Sequence, residues 1–215
     1  MATTLAALVV GGRTAANAQV DGAWSQTEWE SAINRALEAF WVDCLAINQT
    51  LRVSSTTLTI TSTGTPYASL PADFMSALRL FVYAGTSQQR EVFRSGAEDA
   101  DAERTFRIEG SNLYIDPFER SVGSYLLRYN PLPTALSSAA PPDQVDLDAE
   151  LSQHREYFEL HAAIAYLSSE QESISDLAPR FAICQQRALD WAARQRSSQP
   201  SKIRDVRPRR FIRWV

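Results

Sequence analysis

Length, composition and charge describe a chain of ordinary globular make-up. It has 215 residues, of which 45% are hydrophobic, 21% charged and 10% aromatic, and its net charge is −4. This composition excludes disorder as the main state, and no apolar run approaches the roughly 20 residues that a membrane-spanning helix needs. We therefore predict one sizeable domain or two small ones, in a protein that does not cross a bilayer.

Charge is distributed unevenly along the chain. Residues 202–215 contain six basic side chains against one acidic side chain, a net charge of +5, which leaves −9 for residues 1–201. Because nucleic-acid-binding surfaces are basic, the acidic body is not expected to bind nucleic acid. A basic tail on an acidic body points instead to a partner for the tail.

The N-terminal segment and the cysteines bear on the compartment. Residues 16–18 (ANA) resemble a signal-peptide cleavage site, but no basic residue precedes Arg13 and the apolar stretch 5–10 is short, so we expect no cleaved signal. Cys44 and Cys184 lie in segments with helical periodicity, far apart in the chain. We predict reduced, buried thiols in a reducing compartment rather than a disulfide.

Two helices are predicted at the start of the chain. Ser25 and Glu28 form a capping box, and apolar residues then recur every three or four positions, which predicts an amphipathic helix over residues 26–46. A weaker pattern predicts a helix over residues 3–9. We expect Gly11-Gly12 to end it, because glycine readily adopts the left-handed conformation of a helix C-cap.

The periodicity changes from helical to two after Asn48. Residues 51–62 are rich in β-branched side chains, and Leu58 and Ile60 alternate with threonines, which predicts a strand with one apolar face. Residues 67–74 are expected to interrupt the β structure.

Two hairpins and a final strand are predicted next. Residues 77–83 and 90–93 predict one hairpin, and residues 106–116 predict a second one about Gly110. The final strand has an apolar face and ends at two prolines; these residues are Tyr125, Leu127, Tyr129, Pro131 and Pro133.

A proline-containing loop over residues 132–148 leads to a second helical region. Asp146 or Asp148 can cap a helix whose apolar face includes Leu151, Phe158, His161 or Ala162, Ala165 and Leu167. A further helix follows Asp176 and tolerates Pro179 in its first turn; its apolar face is Leu177, Phe181, Cys184, Ala188 and Trp191.

The order of these elements predicts an α+β fold, with a β region of five or six antiparallel strands inserted into a helical bundle. Residues 1–48 and 146–197 are expected to form the bundle, in which Trp29, Phe40, Phe181 and Trp191 share a core. Residues 49–145 form the β insertion and loop, and residues 198–215 an extended basic docking tail.

Candidate catalytic and metal-binding residues are few. His154 and His161 share a predicted helix face with Glu150, but zinc usually needs three or four ligands and no cysteine lies nearby in sequence. A structural role is the favoured interpretation. Cys44 and Cys184 lie on apolar helix faces, where a thiol stays protonated, so core packing is favoured over a Cys–His nucleophile.

Two loop motifs also fall short of a binding site. Asp99, Asp101 and Glu103 alternate as in the first half of a calcium loop, but the glycine and the glutamate that such a loop requires are missing. The segment 11–14 lacks the spacing and the lysine of a phosphate-binding loop. We expect no catalytic residue, no bound metal and no cofactor.

The C-terminal tail is the segment that folding explains least. Pro200 and Pro208 disfavour a helix, and apolar side chains alternate with guanidinium groups that can form bidentate and stacked contacts. Aromatic and arginine anchors are typical of protein interfaces. We predict that the partner-binding residues are Lys202, Arg204, Arg207, Arg209, Arg210, Phe211, Ile212, Arg213, Trp214 and Val215.

Three stretches in this order suggest a family. They are residues 70–74 (LPADF) after the threonine-rich strand, residues 106–117 (FRIEGSNLYIDP), and residues 125–133 (YLLRYNPLP) followed by Leu136-Ser137. Together with the flanking helices, over about residues 3–195, the arrangement resembles the head-to-tail adaptor (connector) proteins of tailed bacteriophages. These include the tail tubular protein A type of short-tailed phages.

The resemblance implies a structural virion protein and not an enzyme. Members of that family form a ring beneath the portal protein, extend the DNA channel and present a docking surface for the tail. The implied partners are the portal protein, a tail tube or nozzle protein, and further copies of the chain in a homo-oligomeric ring, a dodecamer. DNA would pass through without specific binding, and the protein would be found at the neck of the virion after assembly in the host cytoplasm.

Two other classes of function remain as alternatives. A nucleic-acid-binding protein would depend on the basic tail alone, and its binding would be sensitive to salt. A small hydrolase or metalloenzyme would need a convergent polar pocket near His154 and His161.

Overall fold

The computed structural model describes residues 3–18, 23–82, 90–94, 104–137, 146–147 and 149–197. Within these residues the helices are α1 (Leu5–Ala15), α2 (Gln26–Ile47), α3 (Ala149–Ser152), α4 (Arg155–Ser169) and α5 (Leu177–Ser197). The fold is α+β, as the sequence predicts.

Helix α2 begins at the predicted capping box. Glu28 N–H donates to the Ser25 hydroxyl, and Ser25 N–H donates to the Glu28 carboxylate at 2.6 Å. The two bonds satisfy amide groups that have no partner inside the helix. The hydrogen bond that the Ser25 N–H donates also lowers the pKa of Glu28, because it stabilises the ionised carboxylate.

Helix α1 corrects the predicted end at Gly11-Gly12, because it continues through both glycines to Ala15. A Cβ atom on Gly12 would lie 3.1 Å from Cζ3 of Trp29, and one on Gly11 would collide with the carboxylate of Glu159. The glycines therefore allow α1 to approach α2 and α4 closely, and they do not serve as a cap.

The helical region after the loop also differs from the prediction. Asp146 belongs to a short strand and does not cap a helix, and Asp148 lies outside the described residues. The predicted single helix is interrupted, because α3 ends at Ser152 and His154 occupies the N-cap of α4. The His154 ring is buried against Phe40, with 5.1 Å between ring centroids, so tertiary burial overrides the helical periodicity here.

The strands are β1 (Thr3–Thr4), β2 (Ser54–Ile60), β3 (Tyr67–Ser69), β4 (Phe74–Val82), β5 (Arg90–Arg94), β6 (Thr105–Glu109), β7 (Asn112–Asp116), β8 (Gly123–Pro131) and β9 (Asp146–Leu147). Strands β1 and β9 pair with each other, and the other seven form one sheet in the order β2-β8-β4-β5-β6-β7-β3. Both predicted hairpins are confirmed, and Gly110 has the positive φ of +59° that its turn requires.

Two strand predictions were wrong, and a third was confirmed. The sheet has seven strands, not five or six, because residues 67–69 pair with β7 and do not interrupt the sheet. The pairing of β5 with β6 is parallel, which a long connection such as residues 95–104 permits and a tight turn does not. The predicted final strand is confirmed as β8, which ends at Pro131 and lies inside the sheet between β2 and β4.

The seven-stranded sheet is rolled around its own apolar core. All seven strands contribute buried side chains to one cluster, and the two end strands β2 and β3 contact each other. The predicted alternation is seen on β2, where Leu58 and Ile60 are buried while Thr57 and Thr59 are exposed.

The helices share a second core. Trp29 and Phe40 are buried in it, and the partly buried Phe181 and Trp191 pack against it. Helices α2 and α5 run side by side in the same direction, because Cys44 contacts Ala188 and the Asn48 amide donates to the Ala192 carbonyl at 3.3 Å.

Polar contacts join the helices to the sheet. The buried Asn130 at the end of β8 donates to the carbonyl oxygens of Gln49 and Arg52, in the segment between α2 and β2. Beyond β8, Leu136 packs in the helical core, and its backbone exchanges two hydrogen bonds with the Asn34 amide.

Candidate partner-binding surfaces

The predicted partner-binding residues 202–215 lie outside the described residues, as do Asp99, Asp101 and Glu103. The last described residue before the tail is Ser197 at the end of α5. About one and a half helical turns before Ser197, the Ala192 carbonyl accepts a hydrogen bond from the Asn48 side chain, which lies just after α2 on the way to the sheet. The C-terminal end of α5 therefore lies near the point where the helices meet the β region.

His154 and His161 are packed among aromatic rings. The ring of His154 lies 5.3 Å from that of Trp191, and the ring of His161 lies 5.7 Å from that of Phe181. Burial lowers the pKa of both imidazoles. Nε2 of His154 and Nδ1 of His161 are buried and have no hydrogen-bond partner. Across the described part of the chain, no three His, Cys, Asp or Glu side chains gather as metal ligands would.

Both cysteines are free, buried thiols, as the sequence predicts. Burial raises the pKa of Cys44 to about 12 and also raises the pKa of Cys184. Cys184 does share a small cavity of about 40 Å³ with His154. A protonated thiol next to a neutral imidazole is not an activated nucleophile, so this pair is suited to packing.

A larger cleft lies between the start of α4 and the C-terminal half of α5. It has a volume of about 360 Å³ and is lined by Gln153, His154, Arg187, Trp191, Arg194 and Gln195. Arg187 makes no side-chain hydrogen bond or ion pair with any described residue. The lining suits a carboxylate or another anion, which guanidinium groups bind through charged hydrogen bonds.

Sequence reasoning missed this cleft, although a signal for it exists. Arg187, Trp191 and Arg194 are four and three positions apart, so they share one face of α5. The histidine that completes the cleft comes from another helix, α4, and only the tertiary structure brings it there.

The β region presents a second polar and aromatic surface at the β3–β7–β6 edge. Arg107 pairs with Asp116 at 2.9 Å and with Glu109 at 2.8 Å, and its guanidinium lies over the ring of Tyr114. Tyr67, which is 40% exposed, packs against the same ring. Tyrosine and arginine are enriched at binding hot spots, so this edge is a candidate contact surface.

No described helix is long and apolar enough to cross a membrane. A family model described as SU10 adaptor protein matches residues 3–210. The match includes the tail up to Arg210 and stops before residues 211–215. A comparison with curated proteins finds no match.

Proposed function

The chain belongs to the SU10 adaptor protein family, which is a family of phage structural proteins and not of enzymes, and we propose that it joins the portal to the tail as a ring. In this proposal the protein is of the tail tubular protein A type and sits at the neck of the virion. Its partners are the portal protein above, a tail tube or nozzle protein below, and neighbouring copies of itself. The observation that carries the proposal is the family match over residues 3–210.

The charge of the body supports a passage for DNA. Residues 1–201 carry a net charge of −9, and an acidic wall repels the phosphate backbone. DNA would therefore slide past the subunits without binding them. The same charge makes the copies repel one another, so ring formation needs local contacts that overcome this repulsion.

The parts of the chain are assigned different roles. The helices of residues 1–48 and 146–197 form a scaffold, the region 49–145 projects its rolled sheet from it, and residues 198–215 form the docking tail. The polar contacts of Asn130 and Asn34 support this assignment, because they would hold the two folded parts in one orientation.

The tail is proposed as the tether to the portal. It follows helix α5 in sequence, and it carries a net charge of +5 together with the apolar residues Phe211 and Trp214. Acidic grooves and apolar pockets on a portal ring would receive these groups, each buried anchor contributing about 2 kcal/mol. Repeated around a ring, such contacts become effectively irreversible.

The sequence offers a specific experiment, because Lys202 is the only lysine. A carbodiimide links a lysine amine directly to a carboxylate that it contacts. After assembly onto portal-bearing heads, we expect one cross-linked peptide that joins Lys202 to an acidic residue of the portal. The variant Lys202→Arg keeps the charge but lacks the amine, so its heads should retain the adaptor and lose the cross-link.

Deletion of residues 202–215 tests the tether directly. The truncated protein should fold with an unchanged circular dichroism spectrum but fail to bind portal-bearing heads. Normal attachment of the truncated protein would contradict the tail's role and shift the contact to the folded body. Failure of the full-length protein to bind heads, combined with salt-sensitive binding of DNA by its tail, would favour the nucleic-acid-binding alternative.

A further inference from the structure

The hairpin of α4 and α5 carries opposite charges at its two ends. One end holds the cleft of about 360 Å³, which we call the basic cleft, lined by Gln153, His154, Arg187, Trp191, Arg194 and Gln195. The other end is the turn between the helices, which we call the acidic turn. It contains Glu170, Glu172 and Asp176 and no basic residue.

Two side chains of the basic cleft, Arg187 and His154, have polar groups that no described residue binds. The Arg187 guanidinium forms no hydrogen bond or ion pair with a described residue. His154 is only 9% exposed, and its Nε2 atom has no hydrogen-bond partner. Trp191 is half-buried beside it, so the cleft offers a cationic rim above an aromatic floor. Such a site can receive a glutamate side chain, with its stem on the rings and its carboxylate on the guanidinium groups.

The acidic turn carries the opposite charge, and its carboxylates also lack partners among the described residues. Its three carboxylate side chains are exposed, and none forms an ion pair or hydrogen bond with a described residue. Glu170 is the C-cap of α4, and Glu172 lies two residues beyond it. Carboxylates are disfavoured at the negative end of a helix, so stability of α4 does not account for these two residues.

One subunit cannot bring its own turn to its own cleft. Asp176 directly precedes helix α5, and Trp191 lies fifteen positions later on that helix. At a rise of 1.5 Å per residue the two residues are about 22 Å apart. The two surfaces are different patches on opposite ends of a rigid hairpin. Contacts between different patches of identical subunits are heterologous, and such contacts close into rings when the rotation permits.

We propose that the acidic turn of one copy binds in the basic cleft of the next copy, and that this contact joins neighbouring subunits of the ring. The inference rests on the proposed ring-forming function and names the surfaces that build it. The contact supplies local attraction between bodies that are acidic as a whole. It also gives the ring a direction, because each subunit contributes one turn and one cleft.

Charge reversal tests the contact without removing any buried group. The cleft variant is Arg187→Glu with Arg194→Glu, and the turn variant is Glu170→Arg with Glu172→Arg. Each variant alone presents like charges at every junction, and we expect at least a tenfold loss of self-association. In an equimolar mixture in which the two variants alternate, the acidic turn of the cleft variant meets the unchanged basic cleft of the turn variant, and the basic turn of the turn variant meets the acidic cleft of the cleft variant. Every junction is then complementary, so the mixture should recover the association that neither variant shows alone.

Association is measured by sedimentation velocity in solution and as the number of copies bound per portal-bearing head. Arg120→Glu with Arg128→Glu is the control, because it makes the same charge change as the cleft variant on exposed residues of the β region and should leave association unchanged. Circular dichroism checks that every variant folds. Added salt should weaken wild-type association and leave the monomer folded.

The outcomes separate this inference from the proposed function. If the wild type binds heads while either variant alone still associates normally, or while the mixture fails to recover, the contact is wrong and the adaptor function stands. If the wild type neither self-associates nor binds heads, both are wrong. Loss of association in each variant with recovery in the mixture supports the contact.

Discussion

The substitution Asn130→Asp should loosen the connection between the helices and the sheet. The Asn130 side chain is 1% exposed, and its Nδ2 donates to the Gln49 carbonyl at 2.8 Å and to the Arg52 carbonyl at 2.5 Å. Its Oδ1 accepts a hydrogen bond from the Ser76 hydroxyl at 2.9 Å. Aspartate has the same size and retains this acceptor, but it replaces the amino group with a second oxygen.

The expected loss follows from the groups left without partners. Each partly buried carbonyl that loses its donor costs up to about 1–3 kcal/mol, and an unpaired carboxylate on the buried Asn130 position facing two carbonyl oxygens adds to this. We expect the free energy of unfolding to fall by about 3–5 kcal/mol at pH 7. That is a large share of the roughly 5–15 kcal/mol typical of a folded domain.

The loss should depend on pH with a definite sign. Burial and the two carbonyl oxygens raise the pKa of the introduced carboxyl in the folded state above its unfolded value. As the pH falls, the folded state therefore takes up the proton first, and the new O–H can donate to one carbonyl. The deficit relative to the wild type should be full at pH 7 and shrink as the pH approaches the unfolded carboxyl pKa of about 4.

Urea unfolding at several pH values measures this deficit. All described tryptophans (Trp24, Trp29, Trp41 and Trp191) belong to the helical part, so fluorescence follows its unfolding while circular dichroism follows helices and strands together. Asn17→Asp, at an exposed position just past the C-terminal end of α1, is the control; the helix dipole mildly disfavours a carboxylate there, so stability should fall by only about 0.3–1 kcal/mol and without the carbonyl contacts that make the Asn130 effect large. A deficit below about 1 kcal/mol, or one independent of pH, would refute the reasoning.

Three further predictions concern the helical core. Gly12→Ala should lower the free energy of unfolding by about 1 kcal/mol in urea titration, because the crowding of Trp29 by the new methyl group outweighs the better helix propensity of alanine. Since burial lowers the pKa of His154 and His161, the unfolded state takes up more protons below about pH 6.5, and stability should fall with acidification by up to about 1.4 kcal/mol per pH unit for each histidine. Cys44, with its pKa raised to about 12, should resist alkylation at about pH 8 in the folded protein and react in urea, as mass spectrometry can measure.

Matched variants decide these three outcomes. Gly64→Ala adds a methyl group with no neighbour closer than 3.5 Å and should be close to neutral; an equal loss at both glycines would contradict the packing argument. His154→Phe and His161→Phe together should flatten the decline in stability below about pH 6.5. Equal alkylation of Cys44 in the folded and the unfolded protein would show that its burial is not maintained in solution.

Interactions between neighbours in the chain could be predicted from the sequence because they need no distant partner. The capping box of Ser25 and Glu28 and the turn at Gly110 each depend on a few adjacent residues, and both are present. The apolar alternation of Leu58 and Ile60 likewise identified a strand and its buried face. The charge difference between tail and body is a property of composition alone.

Only the tertiary structure decided the features that depend on residues far apart in sequence. Gly12 meets Trp29 from another helix, so the glycines that resemble a helix end lie inside α1. The parallel pairing of β5 with β6 follows from how the sheet rolls around its core, which strand periodicity does not specify. The basic cleft needs His154 beside Arg187 on a different helix. Local propensity selects a helix or a strand, but packing between distant residues determines where each one ends and which side chains meet.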